Sequence, residues 1–307
     1  MDIAIIGSGI TGLACARRLT DAGLMPKVFD KGRGIGGRLA TRRADGGLQF
    51  DHGAQMIPQN LPAFGDVLEQ AEAAGFVTKW AHSDGSLRHV GIPGMTGFAK
   101  FLGQDLDMHQ ATEIKSLTQD VDGWGIYAEQ SVGRFDRVVC TAPSPQTAKL
   151  AGHALTQSLD TVSYDPSLTL MVALNCDLDA PATQTNPTDA FAWVAHDSAK
   201  PGRSSHNCWV VQASAEWSNV HLELTKDQIA TLMLDLFLTH FGLSPTDVVH
   251  ASAHRWRYAF VTKPLGQPFV TSPDNSLYAG GDWCLGPRIE HAWQSGTAIA
   301  DDILRAL

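Results

Sequence analysis

Ile3-Ala4-Ile5-Ile6-Gly7-Ser8-Gly9-Ile10-Thr11-Gly12-Leu13-Ala14 is the stretch that decides the fold. The apolar, β-branched run Ile3–Ile6, closed by glycine, reads as a buried parallel strand. Leu13, Ala14, Ala16, Arg17 and Leu19 continue at helical spacing, and Gly23 marks the expected helix end. A second strand, Lys27-Val28-Phe29, ends on Asp30, eighteen residues after Gly12. Each glycine has its own task. Gly7 allows the tight turn, Gly9 lets backbone approach a pyrophosphate, and Gly12 lets helix and strand pack closely. The helix start offers unpaired N–H groups and a positive dipole end to phosphates. Asp30 offers a carboxylate to ribose hydroxyls. Strand, helix and acid flank the glycines in the order a dinucleotide site needs. The motif alone does not choose between NAD and FAD.

The next stretch does. Lys31-Gly32-Arg33-Gly34-Ile35-Gly36-Gly37-Arg38 is a second glycine-rich loop directly after Asp30, for which a nicotinamide dehydrogenase has no general need. Gly36 and Gly37 allow a second backbone approach, and Arg38 supplies a fixed positive charge for a phosphate. The alternative is a solvated basic turn. Near the C-terminus, Ser276–Ala279 reads as a strand followed by Gly280-Gly281-Asp282, and Pro287 suits the first position of a closing helix. Ile289, Trp293 and Ile299 mark the apolar face of that helix, and Gly296 permits close contact there. Asp282 is placed to bond ribityl or ribose hydroxyls. The helix start is placed to face the pyrimidine edge of a flavin, where negative charge grows on reduction.

The 307 residues suffice for one large or two medium domains. With 44% hydrophobic and 18% charged residues the chain has ordinary soluble composition. A net charge of −9 without Lys/Arg runs speaks against nucleic acid. No apolar stretch approaches the roughly 18 residues that span a bilayer. The opening MDIAIIGSGI lacks the basic start and cleavage site of a signal peptide. Cys15, Cys140, Cys176, Cys208 and Cys284 are odd in number and form no CxxC, and the twelve histidines form no HExxH. Reduced thiols, no metal, no membrane partner and a cytoplasmic location are therefore expected.

Taken together, Gly7–Gly12, the Gly36-Gly37-Arg38 loop and Gly281-Asp282 before a last helix resemble the FAD-dependent amine-oxidase superfamily. Further segments resemble renalase and its bacterial homologues, over almost the whole length and in the same order. They are Asp51-His52-Gly53-Ala54-Gln55, Gly91-Ile92-Pro93-Gly94-Met95, Lys200-Pro201-Gly202-Arg203, His254-Arg255-Trp256 and Gly281-Asp282-Trp283-Cys284-Leu285. One departure stands out. The bacterial proteins tend to carry an aromatic residue after Gly-Ala-Gln, where this chain has Met56-Ile57-Pro58.

The resemblance implies an α/β fold: a Rossmann-type FAD-binding domain split in sequence (1–55, 96–148 and 272–307) and a second α+β substrate domain on a mixed or antiparallel sheet (56–95 and 149–271). It implies non-covalent FAD held by Gly7, Ser8, Gly9, Ile10, Thr11, Gly12, Asp30, Lys31, Gly36, Gly37, Arg38, Gly53, Ala54, Gln55, Ile114, Gly281, Asp282, Arg288, Ile289 and Ala292. Ile114 fits an ordinary core position equally well. Within the expected domains, Glu113–Leu117, Trp124–Tyr127, Ser167–Asn175 and Trp209–Ala213 read as strands, and Asp136–Pro143 as a strand ending in a turn. Asp227–Phe241 reads as an amphipathic helix with Ile229, Leu232, Met233, Leu236 and Phe237 on one face.

For renalases the resemblance implies hydride transfer from aberrant dihydropyridine isomers of NAD(P)H to FAD, then to dioxygen. The expected partners are thus a dihydronicotinamide dinucleotide and dioxygen. His254, Trp256 and Tyr258 are the leading pocket candidates, with Trp193 and His196 behind them. Trp256 could stack on a flat substrate and His254 could bond a carboxamide; both also read as packing residues. Lys200 and Arg203 read mainly as a solvated turn, or as cations at the pocket mouth. Two other functions stay open: an oxidase of small amines, for which Trp283 is one of two aromatics needed beside the flavin, and a non-catalytic FAD-binding interaction protein.

Overall fold

In the computed structural model, which describes residues 1–81, 85–152, 155 and 159–307, β1 (Ile3–Ile6) is buried along its whole length. α1 (Ile10–Asp21) leaves its carboxyl end, and β2 (Lys27–Phe29) returns parallel to it. The hairpin β3 (Thr41–Arg43) and β4 (Gln49–Asp51) leads to α2 (Pro62–Ala73), a second hairpin of β5 (Val77–Ala81) and β6 (Leu87–Gly91), and α3 (Thr96–Leu102). β7 (Asp107–His109) precedes an antiparallel meander of β8 (Ser116–Asp120), β9 (Gly123–Tyr127) and β10 (Ser131–Phe135). Then come β11 (Arg137–Cys140) and α4 (Ser144–Ala151).

The second unit follows: β12 (Ser163–Leu174), β13 (Thr183–Thr185), β14 (Phe191–His196), β15 (Asn207–Ala213), α5 (Ala215–His221), α6 (Lys226–Phe241) and the long β16 (Val248–Lys263). β17 (Val270–Thr271), β18 (Leu277–Ala279) and α7 (Ile289–Arg305) close the chain. The fold is mixed α/β with a Rossmann-like unit. Among the described residues no helix is long and apolar enough to cross a membrane.

The first sheet has the order β17-β18-β11-β1-β2-β7, and all its strands but β17 are parallel. Parallel strands put all their carboxyl ends at one edge. Gly7, Asp30, Thr141 and Gly280 therefore emerge side by side, where open α/β sheets bind their ligands. The two-residue period divides the sheet's faces. Ile3, Ile5, Val28, Val139 and Tyr278 pack with Leu19, Ile299 and Ile303 of the helices. Ala4, Ile6, Phe29, Val138 and Cys140 pack with Trp124, Ile126 and Phe135 of the meander. Gly296 lets α7 cross α1 closely, since a Cβ there would lie 2.1 Å from the Thr11 carbonyl oxygen.

The second sheet, order β13-β14-β15-β12-β16, is antiparallel throughout. Leu168, Leu170, Val172 and Leu174 turn one face toward Ile229, Met233 and Phe237 of α6. Leu232 and Leu236, expected on that buried stripe, are exposed. A single flat sheet covers only the narrow i, i+4, i+8 row of the helix.

Several boundaries also differ from the expectation; β12 begins at Ser163 and β15 at Asn207, each earlier than expected. The strand expected from Glu113 begins at Ser116, so Ile114 lies ahead of it, buried in the core. Pro287 lies before the last helix, with Arg288 at its cap. α6 starts one residue early because Thr225 and Gln228 form a capping box.

Candidate active site

At the dinucleotide end, Gly7 has φ +111°, a conformation that favours glycine, and a Cβ there would lie 2.5 Å from Thr141 Oγ1. A Cβ on Gly12 would lie 2.0 Å from the Gly7 carbonyl oxygen, so the helix packs directly on the turn. Gly9 differs: a Cβ there would meet nothing within 4 Å. Gly9 caps α1 without a side chain, which leaves the first N–H groups, Ile10, Thr11 and Gly12, facing outward as an anion cradle. Asp30 accepts from Ser8 N (2.6 Å), Ser8 Oγ (2.8 Å) and Gly32 N (2.6 Å). It thus ties the two glycine loops together. Gly36 N donates to the Ser8 carbonyl at 2.8 Å. Thr112 N donates to the Asp30 carbonyl at 2.8 Å, which lays the segment leading to Ile114 along the end of β2. Lys31 is exposed, its Nζ 3.5 Å from Gln146 Oε1. An open backbone cradle beside a carboxylate fits the pyrophosphate and ribose of a dinucleotide.

Arg38, expected to meet a phosphate, is also engaged within the protein. Its guanidinium pairs with Asp282 Oδ1 at 2.5 Å and donates to the carbonyls of Ala259 (2.8 Å) and Tyr258 (3.3 Å). This ties the early loop to the late Gly281-Asp282 turn and to β16. Gly53 sits on the same loop. A Cβ there would lie 2.0 Å from the Arg38 carbonyl oxygen, to which Ala54 N donates at 2.8 Å. The Gln55 amide nitrogen turns back to the carbonyls of Asp51 and Gly53. Arg288 is exposed and reaches Glu290 at 3.3 Å, while Ile289 and Ala292 pack against the core around Ile10 and Leu13. Met56 packs into that core and Ile57 is buried and bridged to His89.

Register aligns Trp193, Gln212, Thr169 and His254 across β14, β15, β12 and β16, on the face opposite α6. Trp256, two residues beyond His254, shares that face. Its indole N–H donates to the His52 carbonyl at 2.8 Å. Gln212 Nε2 donates to the Gly53 carbonyl at 2.7 Å, so this row lies against the 52–55 loop. The His254 ring centre is 4.7 Å from that of His52 and 4.3 Å from Trp256. Burial, then His254 and Arg42, push His52 down to about 3. Burial, then Lys226, Arg42 and Arg255, push His254 down to about 4. Both imidazoles are therefore neutral near pH 7. Tyr258 packs its ring 5.3 Å from Tyr164, whose hydroxyl burial pushes up to about 12.

Four candidates fall elsewhere. His196 stacks on Trp209 at 4.6 Å, on the α6 side of the sheet, because its position in β14 has the opposite parity to Trp193. Trp283 is buried in the core and its indole N–H donates to the Ala142 carbonyl at 3.1 Å, so it flanks no open site. Lys200 and Arg203 form no solvated turn. They lie buried against Asp51 and Asp197. Sequence reasoning missed Asp51, His52 and Gln212. Asp51 and His52 stood in a quoted segment, but only the tertiary pairing gives them partners. The alternation of Ser167 and Thr169 with leucines was the available signal for a polar sheet face.

A model of flavin containing amine oxidoreductases matches residues 63–304, and one of NAD(P)-binding Rossmann-like domains matches residues 5–71. The structure overlays on a protoporphyrinogen-oxidase-type protein from Exiguobacterium sp. 255-15, with TM-score 0.75, 12% identity, and coverage of 100% of this chain and 99% of that one. It also overlays on wild-type putrescine oxidase bound to putrescine, with TM-score 0.68, 12% identity and 99% coverage of each chain. At such identity the likeness speaks for the fold alone. In sequence, a 4,4'-diapophytoene desaturase from Staphylococcus haemolyticus is 40% identical over 57 residues, which span 19% of this chain and 11% of that enzyme. The match to 63–304 takes in most of the 307 residues, and this chain belongs to the flavin containing amine oxidoreductase family.

Proposed function

We propose that this protein is a renalase-like oxidase: it takes hydride from aberrant dihydropyridine isomers of NAD(P)H and passes the electrons to dioxygen, giving NAD(P)+ and hydrogen peroxide. The observation that supports this most is the sheet face of Trp193, Gln212, His254 and Trp256, a row of flat or neutral hydrogen-bonding side chains with no carboxylate among them.

When bound, FAD supplies the hydride acceptor and the route for two electrons to dioxygen. The N–H groups at the start of α1, with Asp30, Gly36 and Gly37, hold the dinucleotide. Cys284 is buried and desolvation pushes its thiol up to about 12, so no thiolate stands ready there, which supports FAD held without a covalent link to this residue. Trp256, its N–H engaged by His52, offers its face to a flat ring. Neutral His254 offers a hydrogen bond to a carboxamide. Loss of hydride turns the dihydropyridine into an aromatic pyridinium without removal of a proton from carbon. The site therefore needs no general base, and its two imidazoles, pushed down to about 3 and about 4, are weak ones.

An amine oxidase reading is less well supported. An ammonium substrate gains most from a carboxylate, and the charges that bear on His254 are all cationic: Lys226, Arg42 and Arg255. Trp283, its one candidate for an aromatic wall, lies in the core.

Anaerobic stopped-flow absorbance tests the proposal. The FAD-loaded protein is mixed with 2- and 6-dihydro-NAD(P), with ordinary NADH and with small amines. Fast bleaching of the flavin band by the two isomers alone is the expected result. Bleaching by an amine, or by nothing, overturns it.

A further inference from the structure

Behind the 51–55 loop lies a cluster of four charged side chains that is closed to solvent: Asp51, Asp197, Lys200 and Arg203. Lys200 Nζ stands 2.6 Å from Asp197 Oδ1 and 3.5 Å from Asp51 Oδ2. Arg203 reaches Asp51 Oδ2 through Nε (3.1 Å) and Nη2 (2.5 Å), and donates to the carbonyls of Gly91 and Pro201. The other Asp51 oxygen accepts from Thr41 Oγ1 (2.7 Å) and Met95 N (2.9 Å). Two cations meet two carboxylates, so the cluster is balanced.

Such a cluster is a poor device for stability. Desolvation of buried ions offsets much of their attraction, and apolar residues of similar volume often serve as well. Direction is what it does provide. One of its hydrogen bonds reaches the side chain that ends the 51–55 loop: Lys200 Nζ donates to Gln55 Oε1 at 3.0 Å. Bound there, the Gln55 amide has its nitrogen turned toward the carbonyls of Asp51 and Gly53. That fixes Gly53, whose backbone touches Arg38, and Arg38 in turn grips Asp282.

We propose that Lys200 is a positioning residue for the flavin site: through Gln55 it sets the conformation of the 51–55 loop against Arg38. This rests on the family's flavin and not on the dihydropyridine reading, so either can fail alone.

The test uses the full chain and three variants: Lys200→Met with Asp197→Asn, which keeps the cluster balanced; Gln55→Met, which leaves the charges untouched; and all three changes together. Kd for FAD, the visible spectrum of bound flavin and Tm are measured for each. The balanced pair is expected to keep a Tm near that of the parent, yet to bind FAD about tenfold more weakly with a shifted flavin band, since a hydrogen bond from a charged donor is lost. Gln55→Met is expected to show the same shift. The triple variant is expected to be no worse than either, because the residues act in series. A balanced pair with parental Kd and spectrum would show that Lys200 only balances charge, and additive effects would break the link to Gln55. If the balanced pair does not fold, Gln55→Met alone decides: parental FAD affinity in that variant overturns the proposal.

Discussion

The Gly7–Gly12 turn and the Asp51–Gln55 loop both build the candidate site, and they are held in opposite ways. The first is fixed by local geometry: a left-handed glycine, a helix packed on its own turn, and one carboxylate from the next strand. The second has local bonds from Gln55 to the Asp51 and Gly53 carbonyls and a close contact of Gly53 with Arg38, but these do not suffice. Its shape comes from ions that lie far off in sequence, Asp51 from Lys200 and Arg203, and from Gln212 of the sheet. A loop of the first kind tolerates distant change and fails under a single methyl group. A loop of the second kind should fail under distant change as well.

The largest effect is expected at the distant end of the second loop. Arg203→Met leaves Asp51 and Asp197 buried against one cation. Uncompensated buried charge costs about 3–5 kcal/mol, which chemical denaturation would register as a marked fall in midpoint. A loss under 1 kcal/mol would mean that solvent or a rearranged Lys200 satisfies Asp51, and the contrast between the loops would weaken. Gly12→Ala should come next. Its Cβ would overlap the Gly7 carbonyl oxygen at 2.0 Å, and backbone cannot yield as a side chain does. Overpacking of this kind costs about 1–3 kcal/mol. Stability and flavin content are both expected to fall in this variant.

The same contrast explains what could be read from the sequence. β1, α1, β2 and the acid that closes the unit follow from residues within one continuous stretch, because each signal is local: a period of two, a period of 3.6, a glycine for a turn. The late Gly281-Asp282 turn was legible for the same reason. Its partner was not. That Asp282 meets Arg38 depends on two segments brought together by the sheet. Lys200 and Arg203 were misread most completely. A Lys-Pro-Gly-Arg segment has the composition of a solvated turn, and only the placement of Asp51 and Asp197 makes its burial tolerable. His196 and Trp193 show a subtler limit. Three residues apart in one regular strand, they must face opposite sides of the sheet, but only the register with Gln212 and Trp209 shows which side holds the site.

A pH titration sharpens the comparison on the side of the sheet. Unfolded imidazoles take up protons below about pH 6.5, whereas folded His52 does so near 3 and His254 near 4. Between those values the unfolded chain binds more protons, so stability should fall as pH is lowered from about 6.5 toward 4. Tm measured across that window in the parent and in His52→Leu checks the cause. The variant's slope should be the shallower of the two. Equal slopes would assign the acid sensitivity to other groups.

The smallest effect on stability is expected at Gly9, and it is the most telling for the first loop. A Cβ there meets no atom within 4 Å, and the residue adopts φ −72°, which any amino acid can hold. Gly9→Ala should therefore leave the folded chain as stable as before, or slightly more so, since alanine restricts the unfolded state. Its cost should fall on the ligand alone. The methyl group would project into the space from which a pyrophosphate approaches the N–H groups of α1, so FAD affinity should drop while the denaturation midpoint holds. Gly12→Ala and Gly9→Ala, three residues apart, would then separate the two uses of glycine in one motif: one makes room for the protein's own backbone and the other for its cofactor. If Gly9→Ala binds FAD as the parent does, the phosphates do not pass over Gly9, and the cradle must be sought in the Gly36-Gly37 loop that lies against it.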